Sequence, residues 1–355
     1  MSINIVQFTH PGGEHSFTKS RNDGKRRFKD WNNRKHQRKY LRVSGTYINK
    51  EGIKTEETDK KIYFWGEWEP ESEVFIIAPP LKDADPHFIH EPFIQLNESK
   101  QLKVPESVPQ INKDNSPKKN KDGSLKQDLI AANTDPFVFG EDGFYYSCCK
   151  QYWKGKPTKL QDLEPGSIIL FGSTINQNTP KAYFALDTVF VVGPNKIKEN
   201  LYKQEYNINF DLSKLKEFAP KYYCDIMNYK DWGKNSNCFD NGSASGSCGS
   251  TKNGIKYICY HGASYDNPIT CENDSTKKMY SFAPCKIGSN GENGFERVKL
   301  SNEDFQFITN NLNSRPKVRE KSFDEIYDIW KNLRDYIEGK GYYEAVRLNY
   351  TEINI

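Results

Sequence analysis

Short apolar runs recur along this chain, and they constrain its fold more than any other feature of the sequence. They are rich in β-branched and aromatic side chains and are bounded by Pro, Gly or Asn, at residues 61–69, 73–78, 167–172 and 182–192. Runs of this length and composition predict β-strands rather than helices. We therefore expect a fold dominated by short strands.

Aromatic side chains supply most of the predicted core. Only 35% of the 355 residues are hydrophobic, but 14% are aromatic. Aromatic side chains bury a large area each, so they support a core, and their abundance argues against a disordered chain. No run of about 18 apolar residues occurs, which predicts no transmembrane helix. With no signal peptide recognisable at residues 1–6, we expect a cytoplasmic protein whose eight cysteines are free thiols.

Helices are expected mainly near the C-terminus. Ser322 and Glu325 fit a capping box, which satisfies free backbone groups at a helix start. Apolar side chains then recur at helical spacing at Ile326, Ile329, Trp330, Leu333 and Ile337, and Gly339 suits the helix end. A shorter helix is predicted to begin near Ser301. The expected class is α+β, with a mainly antiparallel β-sheet or small barrel core and C-terminal helices.

Two polar tracts suggest how the chain is organised. One, residues 97–126, is rich in Lys, Asn and Ser, and the other, residues 233–254, is rich in Gly and Ser. We predict a basic, β-rich part with His and Trp motifs at 1–96, and a polar insertion or linker at 97–130. The remainder, 131–355, is predicted to be β-rich with C-terminal helices and to pack with 1–96 as one compact unit.

Positive charge is concentrated in residues 19–42. This stretch holds eleven Lys and Arg residues against two Asp residues, an excess of nine charges, whereas the whole chain carries +4. The rest of the chain is therefore acidic overall. Such an asymmetry indicates a site for an anion, most simply a phosphate.

A histidine-rich turn precedes the basic stretch. The predicted strand at residues 3–8 leads into a Pro-Gly-Gly turn flanked by His10, Glu14 and His15. Consecutive backbone N–H groups in such a turn can hold an anion, and the side chains supply acid–base groups. If the protein is an enzyme, His10, Glu14 and His15 are the candidate catalytic residues. The alternative is a tight turn with two surface histidines.

The basic stretch itself contains the candidate phosphate-binding residues. They are Arg26, Arg27, Arg34, Lys35, His36, Arg38 and Lys39. If residues 31–42 are helical, Arg34 and Arg38 share one face, and Trp31 lies among the cations. Basic groups around an aromatic ring suit a phosphate backbone and a stacked base. A solvated, charged segment is the alternative.

An aromatic and acidic strand provides the candidate base-binding residues. Continued strand alternation over residues 64–69 would put Trp65 and Glu67 on one face and Trp68 on the other. An indole beside a carboxylate suits a base, because the ring stacks and the carboxylate accepts from exocyclic amines. Asp135, before a proline, is expected to point into the same cleft. The alternative is ordinary sheet packing with surface acids.

Five of the six histidines lie within the first 90 residues, including His87 and His90. Convergence of these histidines with Glu67 or Asp135 would allow acid–base chemistry or a divalent metal. No established metal-ligand spacing occurs, so we predict no cofactor and keep a divalent metal as an alternative.

One pair of segments resembles a known family. Residues 163–171 and 184–193 contain a Pro-Gly turn, an apolar run and a second run ending in Val-Gly. This is similar to the strand pair of PUA-like domains, including the ASCH, EVE and YTH groups, although Ser167 stands where Asp is commoner. The motifs also resemble those of nucleotide-modification-associated domains. The resemblance implies a small β-barrel that binds RNA or modified bases.

Together these features predict a protein that binds nucleic acid or a nucleotide, with modified bases as one ligand class. A hydrolase acting on nucleotides or nucleic acid, either a phosphodiesterase or a base-excising glycosidase, is the first alternative. A protein-interaction module is the second. No membrane partner is expected, and the sequence does not indicate the oligomeric state.

Overall fold

The computed structural model of this chain describes residues 3–10, 12–14, 27–30, 38–77, 86–103, 108–110, 112, 116–128, 134–141, 143–147, 149–153, 156–176, 179–194, 201–207, 213–227, 256–308 and 316–355. Strands predominate among them, and the prediction of a sheet-dominated α+β protein is confirmed.

The strands, in chain order, are β1 Ile3–His10, β2 Arg27–Asp30, β3 Lys39–Ile48, β4 Lys54–Gly66, β5 Ser72–Ile76, β6 Phe88–Leu96, β7 Val108–Pro109, β8 Gln127–Asp128, β9 Tyr145–Tyr146, β10 Tyr152–Trp153, β11 Lys156–Pro157, β12 Ile168–Ile175, β13 Tyr183–Val191, β14 Lys203–Asn207, β15 Lys256–His261, β16 Ile269–Thr270, β17 Lys278–Met279, β18 Ala283–Ile287, β19 Val298–Leu300, β20 Pro316–Lys321, β21 Tyr343–Leu348 and β22 Thr351–Asn354. The helices are α1 Ser213–Phe218, α2 Lys221–Met227, α3 Ser289–Glu292 and α4 Phe323–Gly339, with a 3-10 helix at Lys159–Gln161.

A five-stranded sheet has β1 next to its edge strand β20, in the order β19–β13–β12–β1–β20. β1 runs parallel to β12, in a register that pairs Ile5 with Ile168 and His10 with Ser173. The other neighbours in this sheet are antiparallel. Because parallel strands end at the same edge, His10 and Ser173 lie side by side at the carboxyl end of this pair.

A second sheet closes partly on itself. β3 pairs with β4, β4 with β18, β18 with β21, and β21 with β3, all antiparallel. These four strands form a small closed ring, and β6 adds to it beside the first half of β3. The sheet then extends through β5 and β2, while β22 pairs with β6. The prediction of a mainly antiparallel sheet core is confirmed.

The main core lies between the two sheets. Val6 and Phe8 of β1 pack there in one cluster with Leu41 of β3 and Phe64 of β4. The alternate residues of β1, Ile3 and Ile5, belong to a second cluster with the apolar face of α4. β1 is thus covered on both faces, which explains why all eight of its residues are buried.

The C-terminal helix begins as predicted. The Ser322 side chain accepts from the backbone N–H of Glu325, and the Glu325 carboxylate accepts from the Ser322 N–H. The shorter helix predicted near Ser301 is wrong over residues 301–308, which form turns. There the Asp304 carboxylate accepts from both the N–H and the hydroxyl of Ser301, so the local cap is present without a helix to follow it.

The polar tract contains ordered turns that share one design. The N–H groups of Asn97, Asn112 and Asn120 each donate to the carbonyl four residues later, at 2.8 to 2.9 Å. Three backbone hydrogen bonds form a cycle: the N–H of Gln110 donates to the carbonyl of Lys126, that of Lys126 to Lys118, and that of Lys118 to Gln110. Over its described residues, this tract is therefore a compact set of repeated turns.

Candidate functional site: a buried acid–base network

A group of buried ionisable side chains lies where the five-stranded sheet meets the ring of strands. His10 is the last residue of β1, Arg38 immediately precedes β3, and Glu67 immediately follows β4. Asp187 comes from β13, and Arg297 precedes β19. The two sheets therefore contribute the members jointly, and no short sequence motif holds them together.

His10 and Glu67 form the centre of this network. His10 Nδ1 lies 3.1 Å from Glu67 Oε2, and both side chains are almost entirely buried. Burial, reinforced by the nearby charge of Arg38, lowers the pKa of His10 to about 3, although Glu67 opposes the shift. The imidazole is therefore neutral at pH 7.

The Glu67 contact also fixes the tautomer of His10. A carboxylate only accepts hydrogen bonds, so Nδ1 of the neutral ring carries the proton and donates it. Nε2 is then an acceptor, and it has no hydrogen-bond partner among the described residues. A buried imidazole nitrogen with a free lone pair can accept a proton from a group that enters the site.

Arg38 holds the carboxylate of Glu67 from a second direction. Its Nη2 lies 2.7 Å from Glu67 Oε2, and neither side chain is exposed. Its backbone N–H donates to the carbonyl of Gly13 at 3.1 Å, which ties it to the glycine turn after β1. The Nη1 atom of Arg38 has no hydrogen-bond partner within the described part of the chain.

Asp187 enters the network through a β-bulge. Phe171 pairs with Thr188 and Gly172 with Leu186, so Asp187 is the extra residue of β13. A bulge redirects a side chain out of the normal alternation. Asp187 Oδ1 lies 3.4 Å from Arg297 Nη1, and its Oδ2 lies 3.7 Å from Arg38 Nε. Burial raises the pKa of Asp187, and the two arginines oppose that shift.

Arg297 connects the glycine turn to both sheets. It donates from Nη1 to Ser173 Oγ at 3.0 Å and from Nη2 to the carbonyl of Gly12 at 2.9 Å. Its guanidinium also stacks over the ring of Trp65, 5.1 Å from the ring centre. The arginine thus fixes the turn that follows His10.

A lysine approaches the same strand end. Nζ of Lys150 donates to the carbonyl of Thr9 and lies 4.9 Å above the ring of Phe8. Burial lowers the pKa of Lys150 to about 8, and the charge of Arg38 acts in the same direction. Sequence reasoning missed this residue, because nothing near it in sequence marks a site.

Glu14, predicted to act with His10, is placed elsewhere. Its carboxylate accepts from the backbone N–H groups of His87 and Phe88 at 2.9 to 3.0 Å and contacts His87 Nδ1 at 2.8 Å. Burial raises the pKa of Glu14. The structure thus pairs Glu14 with His87 and His10 with Glu67. His15 lies outside the described residues.

The candidate base-binding residues are all buried. Trp65 donates from Nε1 to the carbonyl of Phe295, and Trp68 donates to that of Glu71, both at 2.8 Å. Asp135 accepts from the N–H groups of Ser147 and Cys149, both at 3.0 Å. The expected strand alternation through residue 69 is wrong, because β4 ends at Gly66. Trp65 and Trp68 here pack within the protein.

The candidate phosphate-binding residues divide into three groups. Arg26, Arg34, Lys35 and His36 lie outside the described residues, and Arg27 is in β2. Arg38 binds Glu67, and Lys39 donates from Nζ to the carbonyl of Trp68 at 2.5 Å. A helix over residues 31–42 is wrong at its C-terminal end, where residues 39–42 belong to β3. Arg38 and Lys39 are therefore bonded inside the protein.

Metal ligands, thiols and helices of the described ranges bear on the remaining predictions. There, no group of three or more His, Cys, Asp or Glu side chains is arranged to hold a metal ion. Cys149, Cys224, Cys259 and Cys285 are buried free thiols. None of the described helices combines the length and the apolar character that crossing a membrane requires.

The network therefore offers one oriented base and several cations within a water-poor interior. Comparison with protein-family models, with curated proteins and with solved structures finds no match to this chain.

Proposed function

We propose that the protein binds a nucleotide or nucleic acid and hydrolyses it, with His10 as the general base and Glu67 as the residue that orients it. One observation carries the proposal: His10 Nδ1 is held 3.1 Å from Glu67 Oε2, while Nε2 is left without a partner among the described residues. Strongly shifted pKa values around such a pair are typical of reaction sites.

The pair can move a proton in a defined direction. Nε2 of His10 accepts a proton from the attacking group, and the Glu67 carboxylate at Nδ1 offsets part of the cost that burial places on the imidazolium. Outside this step, burial and the charge of Arg38 keep the imidazole neutral, because together they lower the pKa of His10 to about 3. His10 can then return the proton to the leaving group.

The surrounding cations suit an anionic substrate. Nη1 of Arg38 lacks a hydrogen-bond partner in the described structure, and Lys150 reaches the same strand end. Both would stabilise negative charge that develops near His10, more strongly in a buried site than in water. Residues 19–42 carry an excess of positive charge, which we propose attracts an anionic substrate to the protein. Because His10 is buried, the residues that cover it must move when the substrate enters.

Binding without chemistry is the second candidate. The segments that resemble a PUA-like strand pair do form adjacent antiparallel strands, β12 and β13. This supports recognition of RNA or a modified base. We also propose a cytoplasmic location, since the described cysteines are free, as is usual in a reducing compartment.

The test is turnover of nucleoside monophosphates and short oligonucleotides, with released base and released phosphate measured separately. His10→Asn should reduce turnover by about 10²- to 10⁴-fold, the usual contribution of a general base. Glu51→Gln, in an exposed turn, is the matched control and should match the wild type. Turnover that survives His10→Asn contradicts the proposal. Salt-sensitive binding without any turnover would favour the second candidate.

A further inference from the structure

We propose that Lys150 is a nucleophile of this site, which attacks C1′ of a nucleotide sugar, displaces the base and forms an imine with the sugar. This inference rests on the proposed function and deepens it. It selects the bond between sugar and base as the one that breaks, and hence the base-excising class of hydrolase.

The backbone of Lys150 is held in an unusual conformation. Its φ is 59°, in the left-handed region that residues other than glycine seldom occupy. Its carbonyl accepts from the Thr158 hydroxyl at 2.8 Å. On either side, Asp135 fixes the Cys149 N–H, and Gln151 Oε1 accepts from the Ile258 N–H at 2.8 Å. Strain that its surroundings enforce in this way is characteristic of functional positions.

This conformation brings the amine to the reactive end of β1. Nζ donates to the carbonyl of Thr9, the residue before His10, and lies 4.9 Å from the centre of the Phe8 ring. The Phe8 ring in turn lies 4.7 Å from the ring of His10. Lys150 is also close enough for its charge to lower the pKa of His10. The Lys150 amine and the His10 imidazole thus lie at the same end of β1, where both can act on one bound substrate.

The environment of Nζ increases the neutral, nucleophilic fraction of the amine. Besides burial, the described neighbours that shift the pKa of Lys150 are Arg38, which lowers it, and the Cys149 thiol, which raises it, and no described carboxylate is among them. Burial without a carboxylate partner disfavours the ammonium form and activates a lysine. With a pKa of about 8, Lys150 has a neutral fraction at pH 7 that is roughly two- to threehundredfold above that of an ordinary surface lysine.

The chemistry of an amine selects C1′. An imine forms at the carbonyl carbon of an aldehyde or a ketone, and in a nucleotide C1′ is a masked aldehyde carbon. A bond forms between Nζ and C1′ while the bond from C1′ to the base breaks, and the base leaves with that electron pair. His10 Nε2 takes the proton released from Nζ and returns it to the base.

The enzyme is then regenerated by water. The sugar ring opens as the nitrogen lone pair forms the C=N bond and the bond from C1′ to O4′ breaks, and O4′ takes up the proton that Nζ still carries. Water adds to C1′, the bond from C1′ to Nζ breaks, and the free sugar aldehyde and the Lys150 amine are restored. Neither an oxidant nor a reductant is consumed.

The experiment is trapping of the imine in the full-length protein. The probe is a single-stranded DNA oligonucleotide with one abasic site, whose open-chain sugar presents the C1′ aldehyde directly. Sodium borohydride reduces an imine to a stable amine, and peptide mass spectrometry locates the modified lysine. We expect the adduct at Lys150, in large excess over surface lysines. No adduct, or adducts spread over surface lysines, overturns the inference.

Two variants complete the design. Lys150→Arg keeps the charge but cannot form the imine, so trapping should fall at least tenfold, while Lys156→Arg, at an exposed neighbouring position, should trap like the wild type. Base release that depends on His10 but occurs without trapping overturns only the role of Lys150. Trapping at Lys150 without release of base or phosphate from intact substrates overturns the proposed hydrolysis instead.

Discussion

Arg38 and Glu67 form an ion pair with no exposed surface, in which Nη2 of the arginine lies 2.7 Å from Oε2 of the glutamate. The same oxygen faces Nδ1 of His10 at 3.1 Å. One carboxylate oxygen therefore joins the end of β4 both to the start of β3 and to the end of β1. This shared oxygen links the stability of the fold to the state of the proposed base.

Glu67→Gln is expected to destabilise the protein. The substitution leaves the Arg38 charge buried opposite a neutral amide, and breaking a buried pair in this way costs about 3–5 kcal/mol in the free energy of unfolding. Urea denaturation measures it. The exposed-turn variant Glu51→Gln should change the free energy of unfolding by less than about 0.5 kcal/mol. Equal effects in the two variants would contradict a buried pair.

His10 should make stability depend on acid pH. Its folded pKa of about 3 lies below the unfolded value of 6.5, so between these pH values the unfolded chain binds the additional proton. The contribution is complete above pH 6.5 and decreases by about 1.4 kcal/mol per pH unit as the pH falls toward 3. The measurement is the unfolding free energy of the wild type minus that of His10→Asn as a function of pH, and this difference should show the slope. A difference that does not change between pH 4 and 6.5 would rule out a neutral, buried His10.

Asp135 should show the opposite dependence. Burial raises its pKa from 3.8 to about 7, so the folded protein keeps a proton that the unfolded chain has released. This contribution is fully present below pH 3.8 and is lost as the pH rises through 7. The free energy of unfolding of the wild type, relative to that of Asp135→Asn, should therefore be lower at pH 8 than at pH 5, because the asparagine does not titrate. A relative stability that stays constant or rises with pH would show that the carboxyl is not held protonated.

Glu14 is expected to order the segment that begins β6. Its carboxylate accepts two backbone N–H groups, from His87 and Phe88, and hydrogen bonds to a charged group contribute about 1.5–3 kcal/mol each. Glu14→Ala should therefore speed hydrogen exchange of these two amides much more than exchange of amides in β12. Unchanged exchange at residues 87 and 88 would show that the contact does not hold the segment.

The sequence was a good guide to features that repeat along the chain. Short apolar runs located β12 and β13, and the cap at Ser322 located α4, because each depends on neighbours in sequence. Aromatic content predicted a core that is in fact rich in aromatic side chains. The His10 and Glu67 side chains were both identified as candidates, and their convergence was one of the arrangements that the sequence left open.

The rest of the site depends on tertiary contacts that no local pattern encodes. Asp187 is redirected by a bulge, which leaves no mark on an apolar run. Lys150 and Arg297 reach the network from loops 141 and 285 residues away from their contacts at Thr9 and Gly12. Arg38 and Lys39 are part of a conspicuous charge run, yet both are buried, because β3 carries them to acceptors at the end of β4.

The most direct test is nitrogen NMR of the His10 ring, with and without a nucleoside monophosphate. The account predicts a neutral ring protonated at Nδ1 from pH 5 to 8, and an Nε2 signal that shifts when the nucleotide is added. The exposed ring of His87 serves as the internal comparison and should respond less. A His10 ring that takes up a proton near pH 6.5, or an Nε2 signal indifferent to every nucleotide, would contradict His10 as the base that acts on this substrate.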